Sequence, residues 1–256
     1  MSRRDSRRHR PDAERHRPDA EDDYYRPDTE FRGRPVAGTG AVLPTKFWPQ
    51  RADDEPMTIF QPRQFCLGSN YVFRHTHIHM SNQLLILTDG SCSNNGIPDA
   101  RGGCSFIYGP QLESDGNYAR KHFRLENKGP FGEPYPQTSN RAELRAVIAA
   151  LRYRNWAREN FNSIVVATDS EYVSDGVTKW IRRWLHNGWR TRSGPVENID
   201  LWQCLLGDVE RLWDSAIQVL FWRIPRNLNQ DADGLARTAT HLPEQHDFVD
   251  HVDYSF

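Results

Sequence analysis

The chain holds no apolar run approaching the roughly 20 residues that a membrane-spanning helix requires, so no membrane partner is expected. Cysteine is scarce. Cys66, Cys92, Cys104 and Cys204 are the only four in 256 residues, and no two form a Cys-x-x-Cys pair. That spacing excludes a zinc knuckle or a dithiol redox motif and leaves free thiols in a reducing compartment. Net charge is nearly absent, at -1. The chain as a whole is therefore not a basic nucleic-acid glue, and any such binding must rest on local clusters. Apolar residues make up only 37%, which predicts a sizeable disordered fraction. The N-terminus lacks the apolar core of a secretory signal. It is rich in arginine, but Asp and Glu follow closely, unlike a mitochondrial presequence. Nucleus or cytoplasm is the expected location.

What is present begins with a repeat. Arg8-His9-Arg10-Pro11-Asp12-Ala13-Glu14 recurs unchanged as Arg15 to Glu21, and Arg26-Pro27-Asp28-Thr29-Glu30 is a degenerate copy. The seven-residue period is not a coiled coil, because it has no apolar seam and each copy carries a helix-breaking proline. Mixed charge and few apolar residues predict a disordered, Pro-rich tail over 1–56, able to tether an unknown protein partner. Residues 57–82 read as a strap or linker without clear period. His75, His77 and His79 alternate there and would share one face of a strand. They read as surface histidines, since no cysteine or acid at ligand spacing accompanies them.

From Leu84 the pattern sharpens. Leu84-Leu85-Ile86-Leu87 is a continuous apolar run, typical of a strand buried on both faces. Residues 102–108 and 119–125 read as the next two strands, joined by a turn-rich segment. A Gly/Pro-rich loop leads into a helix expected from about Asn140 to Asn160, with Ser139 as N-cap. A strand at Ile164–Ala167 follows. Helical stretches at Ser170–Asn187 and Ile199–Trp213, a strand at Ile217–Trp222 and a helix at Ala232–Thr240 complete the pattern. A meander followed by alternating helices and strands implies an α/β fold, a five-stranded mixed sheet flanked by helices.

Four carboxylates stand in distinctive settings: Asp89 in Thr-Asp-Gly-Ser, Glu143 in Asn-Arg-Ala-Glu-Leu, Asp169 in Thr-Asp-Ser, and Asp233 in Ala-Asp-Gly-Leu-Ala. Singly, each has a plain structural reading. Asp89 can start a turn, Glu143 can complement a helix dipole, and Asp169 can cap a helix. Asp233 has a rival in Asp231. If a fold gathers all four, they repel unless a cation intervenes. Hard divalent cations take oxygen ligands, and two of them about 4 Å apart suit phosphodiester hydrolysis.

In this order, the blocks resemble the ribonuclease H1 family. Thr88 to Gly96 looks like its first strand and turn, Thr138 to Glu143 the start of its first long helix, and Thr168-Asp169-Ser170 its fourth strand end. Trp180 to Trp184 with Asn187-Gly188-Trp189 looks like its basic handle. The resemblance implies a ribonuclease H-like fold over 83–241, between the disordered N-terminal extension and a C-terminal tail at 242–256. No N-terminal hybrid-binding module of the family is recognised. It further implies cleavage of the RNA strand of RNA/DNA hybrids by a monomer using two Mg²⁺ ions, for which Mn²⁺ can substitute. Asp89 would bridge both metals. Glu143 and Asp169 would complete the leaving-group site, and Asp233 the site of the attacking water. Asn95, Ser139 and Asn140 match positions that read the 2′-hydroxyl, although Ser139 replaces the expected Asn. Thr138 and Asn198 match positions that grip a DNA phosphate.

The handle also carries its own chemistry. Lys179, Arg182, Arg183, Arg190 and Arg192 interleave with Trp180, Trp184 and Trp189. Cations bind phosphates, and an indole can pack on a deoxyribose. Trp180 and Trp184 can alternatively form the buried face of an amphipathic helix. That would account for one tryptophan and not for the arginines. The chain departs from the family before the last helix. Arg223 to Gln230 replaces a Gly-rich loop that carries a histidine, and resembles a Pro-Arg-x-x-Asn form found elsewhere in the superfamily. Two alternatives follow: a catalytically weak hybrid- or duplex-binding module, or a related nuclease with another preferred substrate.

Overall fold

The computed structural model describes residues 33–67, 70–110 and 119–253. The Arg-Pro-Asp repeat lies outside them. In chain order the elements are β1 (Thr45–Lys46), α1 (Pro56–Ile59), β2 (Phe60–Leu67), β3 (Asn70–His77), β4 (Gln83–Ser93), β5 (Arg101–Ile107), β6 (Arg120–Arg124) and α2 (Ser139–Arg152). There follow β7 (Ser163–Thr168), α3 (Glu171–Asp175), a π-helical turn (Gly176–Trp180) and α4 (Ile181–His186). The chain continues through β8 (Arg190–Thr191), β9 (Gly194–Pro195), α5 (Ile199–Asp214), β10 (Gln218–Arg223), a 3-10 turn (Arg226–Leu228) and α6 (Gln230–Ala239).

The main sheet has eight strands in the order β1-β10-β7-β4-β3-β2, with β5 on β4 and β6 on β5. All five expected strands are present, as β4, β5, β6, β7 and β10. Strands β4, β7, β10 and β1 run parallel, and β5 and β6 add the antiparallel meander. Because the central strands are buried on both faces, they read as unbroken apolar runs. Leu84, Ile86, Ile164, Val166 and Phe221 face α2 and α5, whereas Leu85, Leu87, Val165, Ala167 and Trp222 pack with Phe47, Phe60 and Ala232.

Several expectations need correction. Residues 33–56, assigned to a disordered tail, are pinned to the domain. Gly38 N–H donates to the Gln203 carbonyl at 2.9 Å, and β1 pairs with β10. The strap over 57–82 is mostly a hairpin, β2–β3, that extends the sheet. Its period was hidden because β2 is an edge strand that buries little beyond Phe60. His75 and His77 are buried and His79 alone is exposed. Phe60 packs edge-on against His77 at 5.3 Å, and burial lowers His75 to about 4. Finally, the long helix stops at Arg152 rather than near Asn160. Trp156 folds back instead, its buried indole N–H donating to the Ala150 carbonyl at 3.1 Å.

The segment after α6, expected as a tail, lies along α2. Arg145 donates to the Val249 carbonyl at 2.6 Å, Arg152 holds Asp250 at 2.5 and 2.8 Å, and Arg154 pairs with Asp253. Arg152 also donates to the Gly33 carbonyl at 2.9 Å. A buried guanidinium needs such partners, which is why these arginines fix the segment.

Candidate active site

Asp89 lies within β4, which continues past the apolar run to Ser93, so it starts no turn. Asp169 follows the last residue of β7, next to Asp89's strand. Glu143 sits one turn inside α2, whose N-cap is Thr138 and not Ser139: the Thr138 hydroxyl accepts from Arg141 N–H at 3.2 Å. Gly90 lets β4 and α2 meet here. A Cβ at Gly90 would stand 2.1 Å from the Glu143 nitrogen. Backbone contact thus draws Asp89 and Glu143 together. Ser170, not Asp169, caps α3, its hydroxyl accepting from Val173 N–H at 3.2 Å. Asp233 is buried in the first turn of α6, while its rival Asp231 is exposed.

The electrostatics record this gathering. Burial, together with the Glu143 and Asp169 charges, pushes Asp89 up to about 8, and Asp89 also shares a hydrogen bond with Asp169. Burial likewise pushes Glu143 up to about 7, against a stabilising hydrogen bond from the Ser170 hydroxyl. One Glu143 oxygen, Oε2, is buried without a hydrogen-bond partner. Asp233 is turned toward cations instead. Arg226 donates to it at 2.9 Å and Arg237 pairs with it from the next turn, while Arg226 also approaches Asp169 at 3.9 Å. Among the described residues no three His, Cys, Asp or Glu side chains converge closely enough to grip an ion. The donor set nonetheless fits a hard divalent cation. It is all oxygen, carries an unpaired buried carboxylate oxygen and already attracts a guanidinium.

Two further residues escaped the sequence reading. Asn229, buried before α6, donates its amide to the Thr88 carbonyl at 3.0 Å and to Asp169 Oδ1 at 2.7 Å. The Pro-Arg-x-x-Asn spacing was the available signal. Ser170 was visible only as the neighbour of Asp169.

The expected substrate residues fall into two groups, one at the start of α2 and one in the handle. Asn95 Oδ1 accepts from Ser139 N–H at 3.3 Å, and Asn140 is exposed beside it. Asn198 is in the left-handed region, φ 56, accepting from Arg141 at 3.3 Å and donating to the Tyr172 hydroxyl at 3.2 Å. In the handle, Trp184 is buried against Trp202 at 5.3 Å, so it belongs to the core. Trp180 and Trp189 are half-buried, and Lys179, Arg182, Arg183, Arg190 and Arg192 are exposed. Trp189 holds φ 61, a backbone state that a bulky residue rarely adopts. The Asn187 side chain bonds both the N–H and the carbonyl of Arg190 and closes the turn around it.

The family model for RNase H matches residues 81–240. Ribonuclease H of Treponema pallidum subsp. pallidum is 40% identical over 126 residues, covering 48% of this chain and 70% of that protein. Ribonuclease H of Photorhabdus luminescens is 36% identical over 169 residues, covering 66% of this chain and 95% of that protein. Among solved structures, LC9-RNase H1, described as a type 1 RNase H with the type 2 active-site motif, is 30% identical with a TM-score of 0.41, covering 62% of this chain and 72% of that one. With most of its described core inside the matched segment, the chain belongs to the ribonuclease H family.

Proposed function

We propose that Asp89, Glu143, Asp169 and Asp233 form the catalytic centre of a ribonuclease H. The activity is endonucleolytic hydrolysis of the RNA strand of RNA/DNA hybrids, leaving 5′-phosphate and 3′-hydroxyl ends, and it depends on divalent metal. The observation that carries the site assignment is the gathering of Asp89, Glu143 and Asp169, with Asp89 pushed up to about 8 by burial and by the other two charges. A binding module would gain nothing from such repulsion.

The cations are Mg²⁺, with Mn²⁺ as a substitute. Asp89 would hold two of them, Glu143 and Asp169 would complete one site, and Asp233 the other. When bound, they supply the charge that activates water and neutralises the leaving 3′-oxygen. The protein's own groups then have distinct tasks. Ser170 orients Glu143, and Asn229 fixes Asp169 to the backbone of β4. Arg226 must release Asp233 before that carboxylate can serve as a ligand. Asn95, Ser139 and Asn140 face the RNA strand. Thr138, Asn198, Lys179, Trp180, Arg182, Arg183 and Trp189 hold the DNA strand, with Trp184 supporting them from beneath. One chain supplies all four carboxylates, so a monomer suffices for the activity. Its free thiols suit a reducing compartment, cytoplasm or nucleus.

The test is cleavage of an end-labelled hybrid with Mg²⁺ by the parent and by Asp89→Asn. The variant is expected to lose more than about 100-fold in rate, since even the partners of metal ligands are worth 10–100-fold. Equal cleavage by both would remove Asp89 from the site. Duplex RNA and duplex DNA, run in parallel, are expected to remain intact.

A further inference from the structure

Lys46 and Trp48 lie outside the segment that matches the family, Lys46 ending the edge strand that the N-terminal extension adds to the sheet and Trp48 following two residues later. Trp48 is 73% exposed, and the Lys46 ammonium stands 3.8 Å from the centre of its ring. Alternate residues of a strand share a face. Between them Phe47 points inward, 5.0 Å from the Trp222 ring. A lysine on an edge strand commonly guards against unwanted strand pairing. That explains Lys46, but not a fully presented indole braced beside it.

The register places this pair at the working end of the sheet. Lys46 pairs with Phe221, and Phe47 N–H donates to the Phe221 carbonyl at 2.8 Å. Extending that register by two residues brings Trp48 level with Arg223, and Arg223 pairs with Thr168, the residue before Asp169. Trp48 therefore stands two strand spacings, about 10 Å, to the side of the strand that carries Asp169. That offset is shorter than one turn of a nucleic-acid duplex. β1 also lies against the π-helical turn whose Lys179 is exposed, with Arg182 and Arg183 one turn further along. The strip of cation and aromatic is thus continuous with the handle. The extension is rigidly held as well. Glu210 accepts from the backbone N–H groups of Thr39, Gly40 and Ala41 at 2.6 to 3.1 Å. A Cβ at Gly38 would collide with the backbone of Gly207 at 2.3 Å.

We infer that Lys46 and Trp48 form an accessory contact for the hybrid substrate, extending the handle surface so that Lys46 meets a phosphate and Trp48 packs on an adjoining sugar or base. This rests on the hybrid-cleaving function proposed above. Charge complementarity and continuity with the handle single out nucleic acid as the partner.

The experiment measures binding of a fluorescein-labelled hybrid of about two helical turns, roughly 20 base pairs, by the full chain carrying Asp89→Asn. Trp48→Ala and Lys46→Ala are then added singly. Both side chains are exposed, and unchanged circular dichroism and melting would verify the fold. Each variant is expected to raise Kd about three- to tenfold. Lys46→Ala should lower the salt slope by about 1, and Trp48→Phe should restore most of the affinity. In the active enzyme the same changes should appear in KM rather than kcat. Unchanged Kd for both variants, with Arg182→Ala still weakening binding, would overturn this contact alone. So would a shift in sedimentation without loss of affinity, which would make the edge a surface for a second copy. Failure of the parent to bind or cut hybrid would overturn the underlying function, and this contact with it.

Discussion

Gly90 shows how a single residue sets the width of the proposed catalytic centre. It lies between Asp89 and the backbone of Glu143, and a methyl group there would meet three backbone atoms of α2 within 2.6 Å. Neither main chain can yield without moving Asp89 or Glu143. Gly90→Ala is therefore expected to destabilise the protein by about 3 kcal/mol or more and to remove hybrid cleavage even in the fraction that folds. Urea unfolding beside a single-turnover assay would decide this, and near-parental values in both would show that β4 and α2 can separate freely. Asp89 was legible in the sequence only in company: alone it could start a turn, and it was the four acids in order with the neighbouring motifs that singled it out. Asn229 was harder to see. Its role depends on reaching both the Thr88 carbonyl and Asp169 across the fold, and the Pro-Arg-x-x-Asn spacing marks the residue without encoding that reach. Trp184 and Trp189 show the same limit, since their similar settings in the chain lead to burial in one case and a strained, half-open turn in the other.

At the level of elements, the central strands and α2, α5 and α6 could be read from their periodicity, because burial on one or both faces imposes it. The added strands could not. β1 has only two residues, too few for any period, and β2 is an edge whose side chains mostly meet water. What fixes β1 is tertiary: the Glu210 carboxylate on α5 gathers the backbone N–H groups of the segment ahead of it. Burial works against its charge, yet the hydrogen bonds from Thr39, Gly40 and Ala41 hold Glu210 below the ordinary glutamate value. Glu210→Ala should release this segment at a cost of about 1–3 kcal/mol. Limited proteolysis should then cut within residues 33–46 much sooner, while amide exchange in β4 and β7 stays slow. Equal cutting of parent and variant would assign the anchoring to Gly38 and Gly207 instead.

For the whole molecule, the site and the stability are linked through protons. Asp89, ordinarily near 3.8, is pushed up to about 8, and Glu143, ordinarily near 4.5, to about 7. Between these limits the folded chain binds more protons than the unfolded one, so metal-free stability falls as pH rises. Divalent cations displace those protons and should reverse the trend. Tm in EDTA is expected to decline from about pH 5 to about pH 8. Added Mg²⁺ should raise it more at the alkaline end, and Asp89→Asn should flatten both responses. A Tm in EDTA that stays level across this range would mean the carboxylates ionise without mutual hindrance. A mechanical property follows from Arg152, one nitrogen of whose guanidinium, Nη2, donates to both the Gly33 carbonyl and Asp250. It works as a buckle. Tension applied between those two points would fall first on that side chain and then on the neighbouring Arg145–Val249 and Arg154–Asp253 contacts, before the ladder of the sheet. The two ends of the fold should therefore come undone as a pair, under modest load, while the strands that carry the carboxylates remain closed.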